Sequence, residues 1–147
     1  MPTTVHFYEK PGCANNQRQK QWLRTAGHAL IVHNLMTEAW TAERLRRFFG
    51  TLPVIDWFNR AAPSIKSGKI QPHLVAESAA LALMLADPLL IRRPLMEADS
   101  GYRCGFDTEA INVWIGLSPA VAERLATVDT ETCLHPSTES NICGANA

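Results

Sequence analysis

Two strand-like runs flank a helix-like run at the start of the chain, and that order restricts the fold more than any other feature. Thr3–Tyr8 (TTVHFY) is β-branched and aromatic, with Val5 and Phe7 alternating against His6 and Tyr8, the pattern of a short strand. Ala14–Ala26 contains no Pro or Gly and places Trp22, Leu23 and Ala26 on one face. Gly27 then supplies a helix stop. Ala29–Leu35 (ALIVHNL) reads as a second strand. A second helix follows, capped by Thr41, with Glu43 in its first turn, Leu45, Phe48 and Phe49 on its apolar face, and Gly50 at its end. A strand, crossover helix and strand pair in parallel with a right-handed connection, so this β-α-β-α half predicts an α/β sheet covered by helices.

The rest of the chain completes that sheet after an interruption. Thr51–Pro72 carries Pro53, Pro63, Gly68 and Pro72 and reads as short helical turns. Leu74–Ala86 is an Ala/Leu-rich helix, stopped by Asp87-Pro88, whose apolar faces are expected to be mostly buried. Leu89–Glu97 is strand-like, Ala98–Gly101 turns, and Tyr102–Phe106 returns as an antiparallel partner. Asp107 or Thr108 caps a last helix containing Ile111, Trp114 and Ile115, and a further helical turn or two is expected over Ser118–Ala126. The expected fold is a thioredoxin-like mixed sheet with flanking helices and a helical insert, about residues 51–88, between its βαβ and ββα halves. Residues 1–117 form the domain. Residues 118–147 form a C-terminal extension, rich in Thr, Ser, Asn and Gly and expected to be mobile beyond 127.

Charge and cysteine usage remove several function classes. Lys+Arg and Asp+Glu each number 14, so no basic field draws nucleic acid or an anionic membrane. No apolar run approaches the roughly 20 residues that span a bilayer. The N-terminus lacks the order of a secretory signal, and a cytoplasmic location is expected. The four cysteines, at 13, 104, 133 and 143, lack paired metal-site spacing, and a domain of 147 residues does not need disulfide staples. No metal is expected. Cys133, His135 and Cys143 are the one grouping with the donors for it.

Cys13 has the position from which chemistry is expected. It follows the turn Pro11-Gly12, between the first strand and the first helix. A helix N-terminus presents unpaired N–H groups and about half a positive charge. A thiolate there is stabilised, and the thiol pKa falls below its free value of about 8.5. Arg18 and Lys20 add positive charge nearby. Asn16 occupies the place of the second sulfur in a C-x-x-C motif, so Cys13 is expected to act as a single thiol, resolved by glutathione or by a distant partner. In LLIRRPLM, Arg92-Arg93 precedes Pro94. A proline before the third strand of a thioredoxin-like sheet is commonly cis and faces the start of the first helix. Arg93 is then a candidate to hold a carboxylate or oxyanion in bidentate fashion, whereas Arg92 is expected to be structural.

Taken together, FYEKPGCANNQRQ, WFNRAAP and LLIRRPLM resemble the arsenate reductase/Spx family of thioredoxin-like proteins, in particular its nitrogenase-associated branch, over roughly Val5–Leu117. The resemblance implies that Cys13 is the nucleophile and that Arg60 and Arg93 are anion-binding arginines, with Asn16 and Arg18 beside them and Pro11, Gly12 and Pro94 shaping the site. It departs from the family's C-x-x-S-R at Asn16 and Gln17. It also departs from the R-x-x-R pattern, where Arg103 matches the first arginine and Phe106 replaces the second. On that reading an arginine restored at 106 adds a third donor. Three functions remain open: a thiol-dependent oxidoreductase with glutathione or another thiol reductant as co-substrate and no tightly bound cofactor, a non-catalytic Spx-like adaptor, or, more weakly, a metal chaperone using Cys133, His135 and Cys143. The implied protein partners are nitrogenase or its maturation and regulatory proteins.

Overall fold

A computed structural model describes residues 2–118, and the element order is the one the alternation predicts. Four strands, β1 (Thr4–Glu9), β2 (Ala29–Asn34), β3 (Leu95–Ala98) and β4 (Gly101–Cys104), form one sheet in the order β2-β1-β3-β4. β1 and β2 are parallel, with Val5 opposite Leu30 and Tyr8 opposite His33. β3 runs antiparallel to β1, Tyr8 facing Leu95, and β3–β4 is the expected hairpin. The helices are α1 (Ala14–Thr25), α2 (Ala42–Arg46), α3 (Pro63–Lys66), α4 (Glu77–Ala86) and α5 (Thr108–Trp114), with short 3-10 turns between them.

Because strand side chains alternate, each face of the sheet carries its own core. One face packs Tyr8 and Leu95 against Leu45, Phe48, Phe49, Trp57, Met84 and Ile91, so the insert is fastened there. The other packs Val5, Phe7 and Met96 against Leu23 of α1, Phe106, Ile111 and Ile115. His28 joins the two ends of the second layer. Its Nδ1 accepts from Thr3 N–H at 3.1 Å, and its Nε2 lies 2.7 Å from the Gly116 carbonyl, to which it donates. Thr41 caps α2 by accepting from Arg44 N–H, and Asp107 rather than Thr108 caps α5 by accepting from Ala110 N–H.

Two local expectations are corrected. Leu89–Glu97 is not one strand: Pro88–Leu90 is a 3-10 turn, stabilised by the Asp87 carboxylate accepting from Leu89 N–H, and β3 starts only after Pro94. Ile91 is left with a single antiparallel bridge to Phe58. α4 is also less buried than its composition suggests, because only Ala80 and Met84 are fully inside while Leu85 is exposed. An Ala/Leu-rich run has weak facial contrast, so it does not announce which side is covered. The expectations for the extension, including helical turns to Ala126 and Cys133, His135 and Cys143 as metal donors, fall mainly or wholly outside the described residues. Among the described residues no helix is long and apolar enough to cross a membrane, and no metal-binding cluster occurs.

Candidate thiol and anion site

Cys13 is the N-cap residue of α1, in extended conformation, directly after β1 and its turn. The turn closes by hydrogen bonds at both ends. Cys13 N–H donates to the Lys10 carbonyl, Gln17 N–H donates to the Cys13 carbonyl, and Lys10 N–H donates to Asn16 Oδ1, each at 3.1 Å. Gly12 has φ +85, the left-handed region that a side chain disfavours, and open space where a Cβ would lie. Its requirement is conformational, not steric. No acidic residue occupies the first turn of α1, so nothing there offsets the positive end of the helix. Cys13 is 3% exposed and disulfide-bonded, whereas Cys104 on β4 keeps a free thiol. Of the two cysteines in the described residues, Cys13 is therefore the one in a disulfide.

Arg93 and Pro94 reach this turn through the sheet. The Arg93–Pro94 bond is cis, as the sequence position suggests. Leu95 pairs with Tyr8, and continuing that antiparallel alignment brings Pro94 opposite Glu9 and Arg93 opposite Lys10. Arg93 is 7% exposed, and its Nε and Nη1 have no hydrogen-bond partner among the described residues. Burial pushes its guanidinium down to about 10, still protonated at neutral pH. The carboxylate at the end of β1 is already committed: Glu9 Oε1 lies 2.7 Å from Lys20 Nζ, both side chains largely buried. Asn15, two residues beyond Cys13, adds a buried Nδ2 without a partner. Arg93 and Asn15 thus carry three of the buried side-chain nitrogens that lack an acceptor among the described residues.

The other predicted site residues take different places. Arg60 is exposed and its Nη2 lies 3.3 Å from Asp56 Oδ1, an i,i+4 pair on the insert. Asn16 spends its amide on the turn, accepting from Lys10 N–H and donating to Gln19 Oε1. Arg18 bonds Asn15 Oδ1 along α1. Arg92 is structural, donating to the Asp56 carbonyl at 3.1 Å. A Cβ on Gly105 would meet the Arg92 guanidinium at 2.6 Å. Arg103 lies over the Trp114 ring and donates to the Tyr102 carbonyl. Phe106 is 1% exposed, in the core beside Trp22, so an arginine there would enter the core rather than add a donor.

Lys10 and the buried polar side of α1 were missed from sequence. Asn15, Asn16, Gln19 and Lys20 are buried together with Leu23, where an apolar stripe was expected. The signal was available as polar residues at i, i+3 and i+4 ahead of Leu23, just after the turn.

The sheet order, the insert and a cysteine at the start of α1 beside a cis-proline define a thioredoxin-like α/β protein. More narrowly, the chain belongs to the ArsC family, whose model matches residues 8–114. It is 50% identical over 137 residues to a protein of Rhodospirillum rubrum described as an uncharacterized 15.7 kDa protein in the draG 3' region, covering 93% of this chain and 91% of that one. It is 22% identical to the global transcriptional regulator Spx 1 of Lactococcus lactis over 85% of this chain and 99% of the relative. Among solved structures, an ArsC family related protein from Bacteroides fragilis superposes with TM-score 0.66 at 24% identity, covering 76% of this chain and 98% of that one. Arsenate reductase from Vibrio cholerae gives 0.65 at 21%, covering 78% and 99%. At those identities the structural likenesses carry the fold, and function has to be argued from the site.

Proposed function

We propose that this ArsC-family protein is a thiol-dependent oxidoreductase in which Cys13 is the single attacking sulfur and Arg93 holds the anionic group of its substrate. The observation that carries the reading is a buried guanidinium with unpaired donors across the turn from a disulfide-forming cysteine. A buried cation is costly without a counter-ion, and a bound carboxylate or oxyanion supplies one. Glutathione fits as co-substrate because it brings both a sulfur and carboxylates. The Cys13 thiolate attacks a glutathione-bearing disulfide, forms a Cys13–glutathione bond and expels the other sulfur as a thiolate. A second glutathione then attacks the adduct, returning Cys13 as a thiolate and leaving glutathione disulfide. The nitrogenase setting, with nitrogenase or its maturation and regulatory proteins as partners, is the one that the motif resemblance implies.

The test is to reduce the full chain, add glutathione disulfide, and map the adduct by mass spectrometry. The reading expects glutathione on Cys13, lost in Cys13→Ser and slowed in Arg93→Gln. An adduct on Cys104 with Cys13 unmodified would overturn it. An adaptor role is the second reading, favoured by the edge position of β2, where Ile31 and Val32 are exposed, and by the similarity to Spx regulators. It expects normal partner binding by Cys13→Ser.

A further inference from the structure

A second cation, Lys10, lies within electrostatic reach of Arg93. Lys10 stands opposite Arg93 when the β1–β3 alignment is continued, and its carbonyl and N–H both belong to the turn that presents Cys13. None of the ion pairs among the described residues involves Lys10 or Arg93. Glu9, the nearest acid in sequence, is taken by Lys20. Burial and then the Arg93 charge lower the Lys10 pKa, so the two like charges interact in the anion-free protein. Two cations held on facing segments, without an acid between them, are mutually destabilising unless a ligand brings negative charge.

We propose that Lys10 is the second cation of the anion site beside Cys13, and that Lys10 with Arg93 selects a doubly charged anionic group over a singly charged one. This rests on the anion-binding part of the function proposed above and adds to it a residue and a charge preference. A monoanion would leave one of the two charges uncompensated in a partly desolvated corner, whereas a dianion neutralises both. The division of labour follows from the side chains. Arg93 is fixed by burial and offers a planar fork, while Lys10 closes from the rim on a flexible stem as a point charge. Lys10 thereby substitutes for Arg60, whose guanidinium is engaged on the insert with Asp56.

Calorimetric titration of the reduced full chain with sodium sulfate and with sodium acetate, at matched ionic strength, tests this. Wild type is expected to bind sulfate more tightly than acetate. Lys10→Gln should lose on the order of tenfold in sulfate affinity, the equivalent of about 1.4 kcal/mol, with a smaller loss for acetate. Lys10→Arg should keep the preference, and far-ultraviolet circular dichroism should show all variants folded. If Lys10→Gln leaves sulfate affinity unchanged while Arg93→Gln abolishes it, Arg93 alone holds the anion and the Lys10 assignment fails while the anion site stands. If wild type binds neither ion, both fail.

Discussion

Replacing Arg93 by methionine should stabilise the anion-free protein while removing its response to anions. The guanidinium is 7% exposed, and burial lowers its pKa from the ordinary arginine value to about 10. That fall corresponds to about 3 kcal/mol by which the folded state disfavours the charged form. The sign follows from a base whose folded pKa is depressed. The penalty is present in full below about pH 10 and is relieved as pH rises from there toward the ordinary arginine pKa. Methionine is similar in length, apolar and adaptable, so it fills the space without the charge. Part of the gain is lost to imperfect packing, leaving a net stabilisation of about 1–2 kcal/mol, within the range found when buried charges are replaced by apolar residues. Urea unfolding of the reduced chain in zwitterionic buffer measures it, with and without sulfate. Sulfate should raise wild-type stability and leave Arg93→Met unmoved. A variant less stable than wild type in the absence of anions would refute the reasoning, because it would mean that the guanidinium is already well satisfied.

Phe106→Arg, which on sequence grounds would complete an arginine cage, should instead destabilise by at least about 3 kcal/mol, because it removes a buried aromatic and introduces a charge into the core; an intact urea midpoint would contradict the packing described. Gly105→Ala should cost about 1–3 kcal/mol, since φ is +84 and the new Cβ would meet Arg92; thermal unfolding checks it. Anion affinity should be flat at neutral pH and fall as pH rises through the lowered pKa of Lys10 and the Arg93 pKa of about 10, while anion-free stability moves the opposite way. Titrations with sulfate across that range would contradict this if affinity held constant beyond pH 11.

The fold was legible because its information is local and periodic. Alternation in Thr3–Tyr8, the cap at Thr41, the stop at Gly27 and the order of the elements lead to a parallel β1–β2 pair and a β3–β4 hairpin without tertiary knowledge. The site was legible only where chain position fixes it. Cys13 at the helix start follows from the order of the elements, and the cis bond before Pro94 from its place ahead of the third strand of a thioredoxin-like sheet. What a long side chain does with its charge does not, because that depends on which acid lies within reach. Arg60 meets Asp56 four residues earlier, Lys20 takes Glu9, and Arg93 is left over. The same holds for Phe106, which follows β4 and packs in the core beside Trp22 rather than at the mouth of the site. Lys10 was overlooked because its significance comes from Arg93, 83 residues away in sequence, which reaches the same end of the sheet only once β3 is paired with β1.

The most direct test of the account compares how fast the reduced Cys13 reacts with two aromatic disulfides, one bearing carboxylates and one neutral, in wild type and in Arg93→Gln. The account predicts that wild type favours the anionic disulfide, and that Arg93→Gln loses that preference by on the order of tenfold while its rate with the neutral disulfide changes little. Equal slowing with both reagents, or a wild-type rate that ignores their charge, would contradict an anion-guided thiol at this turn.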